Sequence, residues 1–307
     1  MTLTLDQAIA RIPFLARAKV VRKTPLSGGI TNHNYKIEAD GKAYVLRITG
    51  AGTERLGIKR DVEHQANLAA GQLGIAPEVV FYIEPEGYLL TRFIQGSPLP
   101  PAVIKEPDNL RRVAKKMRLF HRRGPLLKGE FNGFRNVELL ISAAQEKGCS
   151  CPADLEWIME QVRATEQTLV RDAYTPTPCH NDLLNLNWLD EEMPGGVREL
   201  RLLDWEYAGM GDIFFDLANF CTNHELNDDQ VRILLREYFG EVTPRHFARL
   251  LLMWPIAELR EAMWGIAQTG LSTLDEDFQG YANLWFGRVR QDLADPRREQ
   301  WLREVAP

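Results

Sequence analysis

Two short blocks constrain this chain more than any others: C-H-N-D-L-L-N-L-N at Cys179 to Asn187, and L-L-D-W-E at Leu202 to Glu206. The first holds Asp182 and, five residues on, Asn187; the second delivers Asp204 after an apolar run. Phosphoryl transfer to an alcohol asks for this set. One carboxylate accepts the proton of the attacking hydroxyl, while an amide and a second carboxylate hold Mg²⁺ on the phosphates of ATP. Asn187 and Asp204 are hard oxygen donors suited to Mg²⁺, which takes one or two protein carboxylates beside the phosphates and keeps several waters.

The bulk numbers narrow the setting. A length of 307 residues suits two domains or one domain with two lobes. With 45% hydrophobic and 26% charged residues, the composition is that of an ordinary globular protein. A net charge of −5 supplies no basic field, so no nucleic-acid partner is expected. The pairs Arg122–Arg123 and Arg297–Arg298 read as solvated helix surface. Four cysteines do not make a disulfide framework in a chain this long. Cys149 and Cys151 are badly spaced for a bridge, and Cys179 and Cys221 read as small buried hydrophobes, which suits a reducing cytoplasm. Asp6 and Arg11 interrupt any secretory leader, and the longest apolar run, Leu250 to Ala257, is too short to span a bilayer. We therefore expect a soluble, cytoplasmic protein without a membrane partner; nothing in the sequence speaks to an oligomeric state.

Taken in order, residues 5–17 predict an amphipathic helix with Leu5, Ile9 and Ile12 on one side. A strand at 19–22 runs into Ser27–Gly28–Gly29, and strands follow at 34–38 and 44–48, joined by the hairpin signal Asp40–Gly41. The glycine turn thus links strand to strand, as a phosphate-covering loop of kinases does, whereas a dinucleotide-binding turn links strand to helix. Residues 59–73 predict a helix stopped by Gly74, and strands are expected at 79–83 and 88–94. Gly96 to Pro101 breaks all regular structure and reads as a hinge, with one lobe over 1–95 and a second over 96–307. Beyond it the periodicity is helical: 109–123, 137–147, 154–171, then short strands at 186–189 and 201–203, then helices at 213–222, 228–239, 244–269 and 275–293. A mixed small lobe and a mostly helical large one make an α+β, bilobal layout.

On S-G-G-I-T-N-H-N-Y (27–35), Y-V-L-R-I (44–48), H-N-D-L-L-N-L-N (180–187) and L-D-W-E-Y-A-G-M-G-D-I-F-F-D-L-A-N (203–219), the chain resembles the choline/ethanolamine kinases within the aminoglycoside phosphotransferase superfamily. That resemblance implies a protein-kinase-like fold, with a five-stranded antiparallel small lobe carrying one main helix. It also implies ATP and Mg²⁺ as cofactors and a small cationic alcohol, such as choline or ethanolamine, as substrate. Asp182 is then the base, with Asn187 and Asp204 on the metal and His180 and Asp216 supporting the loop. Arg47 stands where protein kinases carry a lysine, Glu63 is its partner, and Ser27, Gly28, Gly29, Thr31 and Asn32 cover the phosphates. The main-chain groups of Arg92 and Ile94 are expected at the adenine. For the acceptor, the family offers two tryptophans three residues apart. Here Trp264 matches the second and Glu261 stands in place of the first, with Glu206 adding negative charge. An aminoglycoside or other sugar phosphotransferase of the same fold, and a nucleotide-binding pseudokinase, remain as alternatives.

Overall fold

The computed structural model describes residues 3–19, 21–26, 32–50, 53–171 and 175–306. The chain opens with two short helices, α1 (Leu5–Ala10), whose Thr4 and Gln7 form a capping box, and α2 (Pro13–Ala16). The single helix expected over 5–17 is broken because Pro13 forces Ile12 into extended backbone (φ −97°, ψ 107°) and starts a new helix at its own position. β1 (Val21–Leu26), β2 (Asn32–Ala39) and β3 (Lys42–Thr49) follow. β1 pairs antiparallel with β2, so their link runs strand to strand, although Ser27, Gly28, Gly29 and Thr31 lie outside the described residues. Asp40 and Gly41 take positive φ (50° and 74°) in the tight turn between β2 and β3. After α3 (Arg60–Gln72) come β4 (Val79–Ile83) and β5 (Tyr88–Arg92), completing an antiparallel sheet of order β1-β2-β3-β5-β4.

The two sides of α3 tell how this lobe is held. The sheet buries Ile37, Leu46 and Leu90 against Ala8 of α1, Leu15 of α2 and Ile12 between them. Val62, Ala66 and Ala70 of α3 belong instead to the large core formed with the C-terminal helices. The helix that carries Glu63 is therefore seated on the large lobe, and this fixes where Glu63 can reach.

Next come β6 (Gly96–Pro98), α4 (Pro101–Ile104), α5 (Pro107–Arg123), α6 (Gly133–Glu146) and α7 (Leu155–Leu169). Gly96 to Pro101 was expected to lack regular structure, yet β6 pairs with the later strand β8 (Trp188–Glu192), which also pairs with β9 (Arg198–Leu202). A Cβ at Gly96 would stand 2.7 Å from the Asp190 carbonyl oxygen, so the glycine is what lets the strands close. β7 (Thr177–Cys179) pairs with β10 (Gly209–Gly211). The remaining helices are α8 (Ile213–Asn223), α9 (Asp228–Phe239), α10 (Pro244–Leu271), α11 (Phe278–Leu293) and α12 (Arg298–Val305). α10 passes through Pro255 and is buried along most of its length. α12 had no counterpart in the sequence reading. It also corrects Arg298, which is half-buried and donates to Gln161 O and Thr165 Oγ1. Cys179 and Cys221 are buried and unbridged, as expected. No helix among the described residues is long and apolar enough to cross a membrane.

Candidate active site

The loop after β7 carries the first block, and Asp216 on α8 shapes it. Asp216 Oδ2 accepts the His180 N–H at 2.9 Å and Oδ1 accepts the Asn181 N–H at 2.5 Å, while His121 Nε2 lies 2.9 Å from Oδ2. These bonds let Asn181 adopt φ 68°, a left-handed conformation that asparagine tolerates better than most residues. They also hold the Asp216 carboxyl below the usual range against the opposing effect of burial. His180 Nε2 donates to Leu203 O at 2.8 Å and Nδ1 accepts the Asp182 N–H at 3.2 Å, which together define a neutral ring. Burial lowers its pKa to about 4, with Asp216 pulling the other way. His180 therefore ties the loop to the strand end before Asp204 and is not placed to shuttle protons near neutral pH.

From this loop Asn187 donates its Nδ2 to the Asp182 carbonyl at 2.9 Å, so Oδ1 is the side-chain atom that could ligate an ion. Asp204 also sits at positive φ (61°), just past β9, with 36% of its side chain exposed. Its pKa is raised well above the ordinary value by burial and by Glu206, with Glu63 and Asp182 adding to the effect and Arg47 opposing it. Acidic oxygens of Glu63, Asp204 and Glu206 gather within 4.8 Å of one another, and Asp204 Oδ1 is buried without a hydrogen-bond partner. Hard oxygens crowded at that spacing suit a divalent cation, so the donor set fits Mg²⁺.

Across the cleft, Arg47 on β3 pairs with Glu63 of α3 and lies 3.5 Å from Asp204. Arg60, one helical turn before Glu63, adds a second guanidinium. Its Nη1 reaches Glu63 at 2.8 Å and Glu206 at 3.2 Å, and its Nη2 reaches Asn32 Oδ1 at 3.2 Å and Thr53 Oγ1 at 3.0 Å. Asn32 in turn donates to Glu206 at 2.9 Å. Glu206, expected at the acceptor, thus stands with Asp204, Arg60 and Asn32 on the same face as Arg47. Arg92 is exposed and pairs with Glu78, and its N–H already donates to Glu78 O. Ile94 is buried at the strand end.

Asp182 faces the other way as well. Its Oδ1 accepts from Arg260 Nη1 of α10 at 3.1 Å, and the same nitrogen donates to Glu261 Oε1 at 2.7 Å. Burial raises the Asp182 pKa to about 7; Arg260 opposes the rise, and Glu261 and Glu206 add to it. Glu261 also accepts the Tyr281 hydroxyl at 2.8 Å and Asn219 Nδ2 at 3.4 Å, while Asn219 Oδ1 takes the Leu183 N–H at 2.6 Å. Trp264, half-buried, meets Phe278 and Tyr281 edge-on at 5.9 and 5.8 Å. Arg60, Arg260, Tyr207, Asn219 and Tyr281 were missing from the sequence reading. Arg60 could have been found from its i, i+3 relation to Glu63. Arg260–Glu261 could have been found as a charge pair inside an otherwise apolar helix face.

Residues 23–233, more than half of the chain, match the sequence profile described as choline/ethanolamine kinase. The chain belongs to the choline/ethanolamine kinase family. It is 27% identical over 228 residues to Protein LicA of Haemophilus influenzae, covering 71% of this chain and 63% of that protein's length. It is 27% identical over 302 residues to human ethanolamine kinase 2, covering 87% of this chain and 75% of the other. Among solved structures, a choline/ethanolamine kinase family protein from Mesorhizobium loti superposes with a TM-score of 0.82 at 27% identity, covering 98% of each chain. The kinase-like fold, a five-stranded antiparallel sheet above a mostly helical lobe, is thus shared over essentially the whole chain.

Within this choline/ethanolamine kinase family chain, Asp182 links its own loop to α10: its main-chain carbonyl accepts Asn187 Nδ2, and its carboxylate accepts Arg260 Nη1.

Proposed function

We propose that the protein is an ATP- and Mg²⁺-dependent kinase that phosphorylates the hydroxyl of a small cationic alcohol such as choline or ethanolamine. The observation that carries the reading is the position of Asp182: its main-chain carbonyl accepts Asn187 Nδ2, and its buried carboxylate accepts Arg260 Nη1 and lies within electrostatic reach of Asp204 and Glu206. There Asp182 orients the acceptor hydroxyl in line with the γ-phosphate and takes its proton as the oxygen attacks. Asn187 Oδ1 and Asp204 would hold Mg²⁺, with Glu206 close behind; when bound, the ion neutralises charge on the β- and γ-phosphates. Arg47, held by Glu63, offers its guanidinium to phosphate oxygens, and the segment from Ser27 to Asn32 covers them with N–H groups. The main chain at Ile94 is the better donor for adenine, since the Arg92 N–H is engaged by Glu78.

We place the lobe boundary between residues 95 and 96, which is supported by β6 pairing with β8 of the large lobe. We read the enzyme as cytoplasmic. The acceptor lies against α10 and α11, with Trp264 and Tyr281 as its aromatic wall. The test is ATP consumption by the purified chain with choline, ethanolamine, other amino alcohols, aminoglycosides and simple sugars, run with and without Mg²⁺. Turnover with amino alcohols that vanishes without Mg²⁺ is expected; turnover confined to aminoglycosides or sugars would overturn the substrate class.

A further inference from the structure

Asp182 is held from outside its own loop. Its side chain is buried, and its carboxylate takes one hydrogen bond among the described residues, from Arg260 Nη1 to Oδ1 at 3.1 Å. Oδ2 takes none, which leaves it as the oxygen for an acceptor hydroxyl. An aspartate carboxylate turns easily about its last torsion, so without an anchor it would present either oxygen over a wide range of angles. Arg260 removes that freedom only if it is itself fixed, and it is. The residue is 2% exposed at the middle of α10, and its guanidinium lies over the Tyr207 ring with Cζ 4.1 Å from the centroid. Glu261 Oε1 accepts the same Nη1 at 2.7 Å.

Glu261 is as deeply buried as Arg260, and both of its oxygens are engaged. Oε1 takes Arg260 and Asn219 Nδ2, and Oε2 takes the Tyr281 hydroxyl at 2.8 Å. An ammonium group on the acceptor would have to displace one of these partners to reach it. Asn219 closes the frame, because its Oδ1 accepts the N–H of Leu183, the residue after Asp182. Around the pair, Leu259, Ala262, Met263 and Ile266 of α10 are buried and apolar. Apolar side chains of similar volume would fill the place of Arg260 and Glu261 without loss of stability, since a buried ion pair seldom recovers its desolvation cost. They could not hold a carboxylate.

We infer that Arg260 is a positioning residue for the base: it fixes Asp182 through Oδ1 and turns Oδ2 to the acceptor hydroxyl. Glu261 acts one step further back, by setting the guanidinium, and does not meet the cation of the acceptor. This rests on Asp182 being the base of a small-alcohol kinase, and it moves Glu261 from substrate recognition to support of the chemical step.

The test is a double-mutant cycle in the full chain, assayed with Mg-ATP on ethanolamine and choline. Arg260→Met fills the space and removes the donor. Its kcat should fall about tenfold or more with the KM values of acceptor and ATP within about twofold, because a group acting only on the base affects the chemical step and not ground-state binding. Arg260→Lys, which keeps the charge and a donor, should recover part of the loss. In the Asp182→Asn background, Arg260→Met should cost less than about twofold further, since residues that act as one unit are not additive. Equal losses in the two backgrounds would overturn the inference, because Arg260 would then act by a route other than the base. Glu261→Gln leaves Arg260 balanced by Asp182, so it supplies a second cycle should Arg260→Met not fold. It should lower kcat severalfold at unchanged acceptor KM, and the loss should vanish in Asp182→Asn. A loss carried by the acceptor KM, or no loss of kcat, overturns the inference as well. Near wild-type turnover in Asp182→Asn, or no turnover of either alcohol by the unaltered chain, would instead overturn the kinase reading beneath it.

Discussion

The two faces of the cleft are built on opposite plans. The proposed nucleotide face gathers Arg47, Arg60, Glu63, Asp204, Glu206 and Asn32 into a mesh in which Arg60 alone reaches four partners. Glu63, for one, has both Arg47 and Arg60, so it stays paired when either is removed. The proposed acceptor face hangs on fewer groups: Arg260 alone links Asp182 to Glu261, and Glu261 gathers Tyr281 and Asn219. A mesh tolerates loss and suits a ligand that is the same for every kinase. A single link transmits every change to the base, which makes it the place where substitution costs most.

The largest effect should therefore come where the two faces meet. Asp182→Asn removes the proton acceptor and keeps the shape, and Arg260 retains Glu261 as its counter-ion. Turnover should fall by about 10²-fold or more, on the usual size of general-base effects, with ATP affinity little changed. Steady-state kinetics and calorimetric titration with ATP decide it. Near wild-type turnover would remove Asp182 from its role and dissolve the contrast between the faces.

A second test concerns what the faces rest on. His180 under the loop and His224 at the end of α8 are both held neutral by burial, each with a pKa lowered to about 4. An unfolded histidine takes a proton near 6.5, so below that pH the unfolded state binds more protons than the folded one. Their stabilisation is complete above pH 6.5 and is lost progressively as pH falls towards 4. By pH 5 the loss should be on the order of 2 kcal/mol for each. Raised carboxyls such as Asp182, pushed to about 7, act with the opposite sign over the same window, so the test is a difference between two proteins. In urea unfolding at pH 7 and pH 5, His180→Gln, which keeps a donor for Leu203 O without titrating, should lose on the order of 2 kcal/mol less than the wild type as pH falls. An equal pH dependence in the two proteins would mean that the His180 ring is not held neutral.

How much of this was legible beforehand divides along the same line. The grouping of Asp182, Asn187, Asp204 and Glu206 was readable because these residues fall in short stretches with a fixed spacing, from Asp182 to Asn187 and from Asp204 to Glu206. Arg60 joins them through an i, i+3 pair with Glu63. The proposed acceptor face was legible only in part: Glu261 and Trp264 were reached through the family resemblance, whereas Arg260 and Tyr281, 78 and 99 residues beyond Asp182, come to it through the packing of α10 and α11. No local rule states that distance. The fold behaved alike: hairpins and long helices followed their periodicity, whereas β6 is only three residues long and exists because β8 lies beside it. Pro13 splits the first helix because a restriction on Ile12 outweighs a weak amphipathic pattern.

A third test probes the tolerance of the mesh. Arg47→Ala leaves Glu63 with Arg60 as partner, so the fold should survive a change that would otherwise strand a buried carboxylate. The affinity for ATP should fall about tenfold, roughly 1.4 kcal/mol, with acceptor KM unaffected. An unchanged ATP affinity would exclude Arg47 from the phosphates, and a large loss of thermal stability would show that the mesh is less redundant than its contacts imply.

The smallest effect is expected at Trp264, and it sharpens the contrast because it should touch one face alone. Trp264 is half-buried and packs edge-on against Phe278 and Tyr281, without a hydrogen bond in the chain from Asp182 to Tyr281. It can contact a cation without bearing on the base. A cation–π contact contributes about 0.5–2 kcal/mol according to its exposure. Trp264→Ala should thus raise the acceptor KM by roughly twofold to thirtyfold and leave kcat and ATP affinity within twofold. Trp264→Phe, which keeps a weaker ring, should fall between. A kcat loss comparable to that of Asp182→Asn would show that Trp264 braces the chain through Tyr281. An effect on ATP alone would place the indole on the wrong side of the cleft.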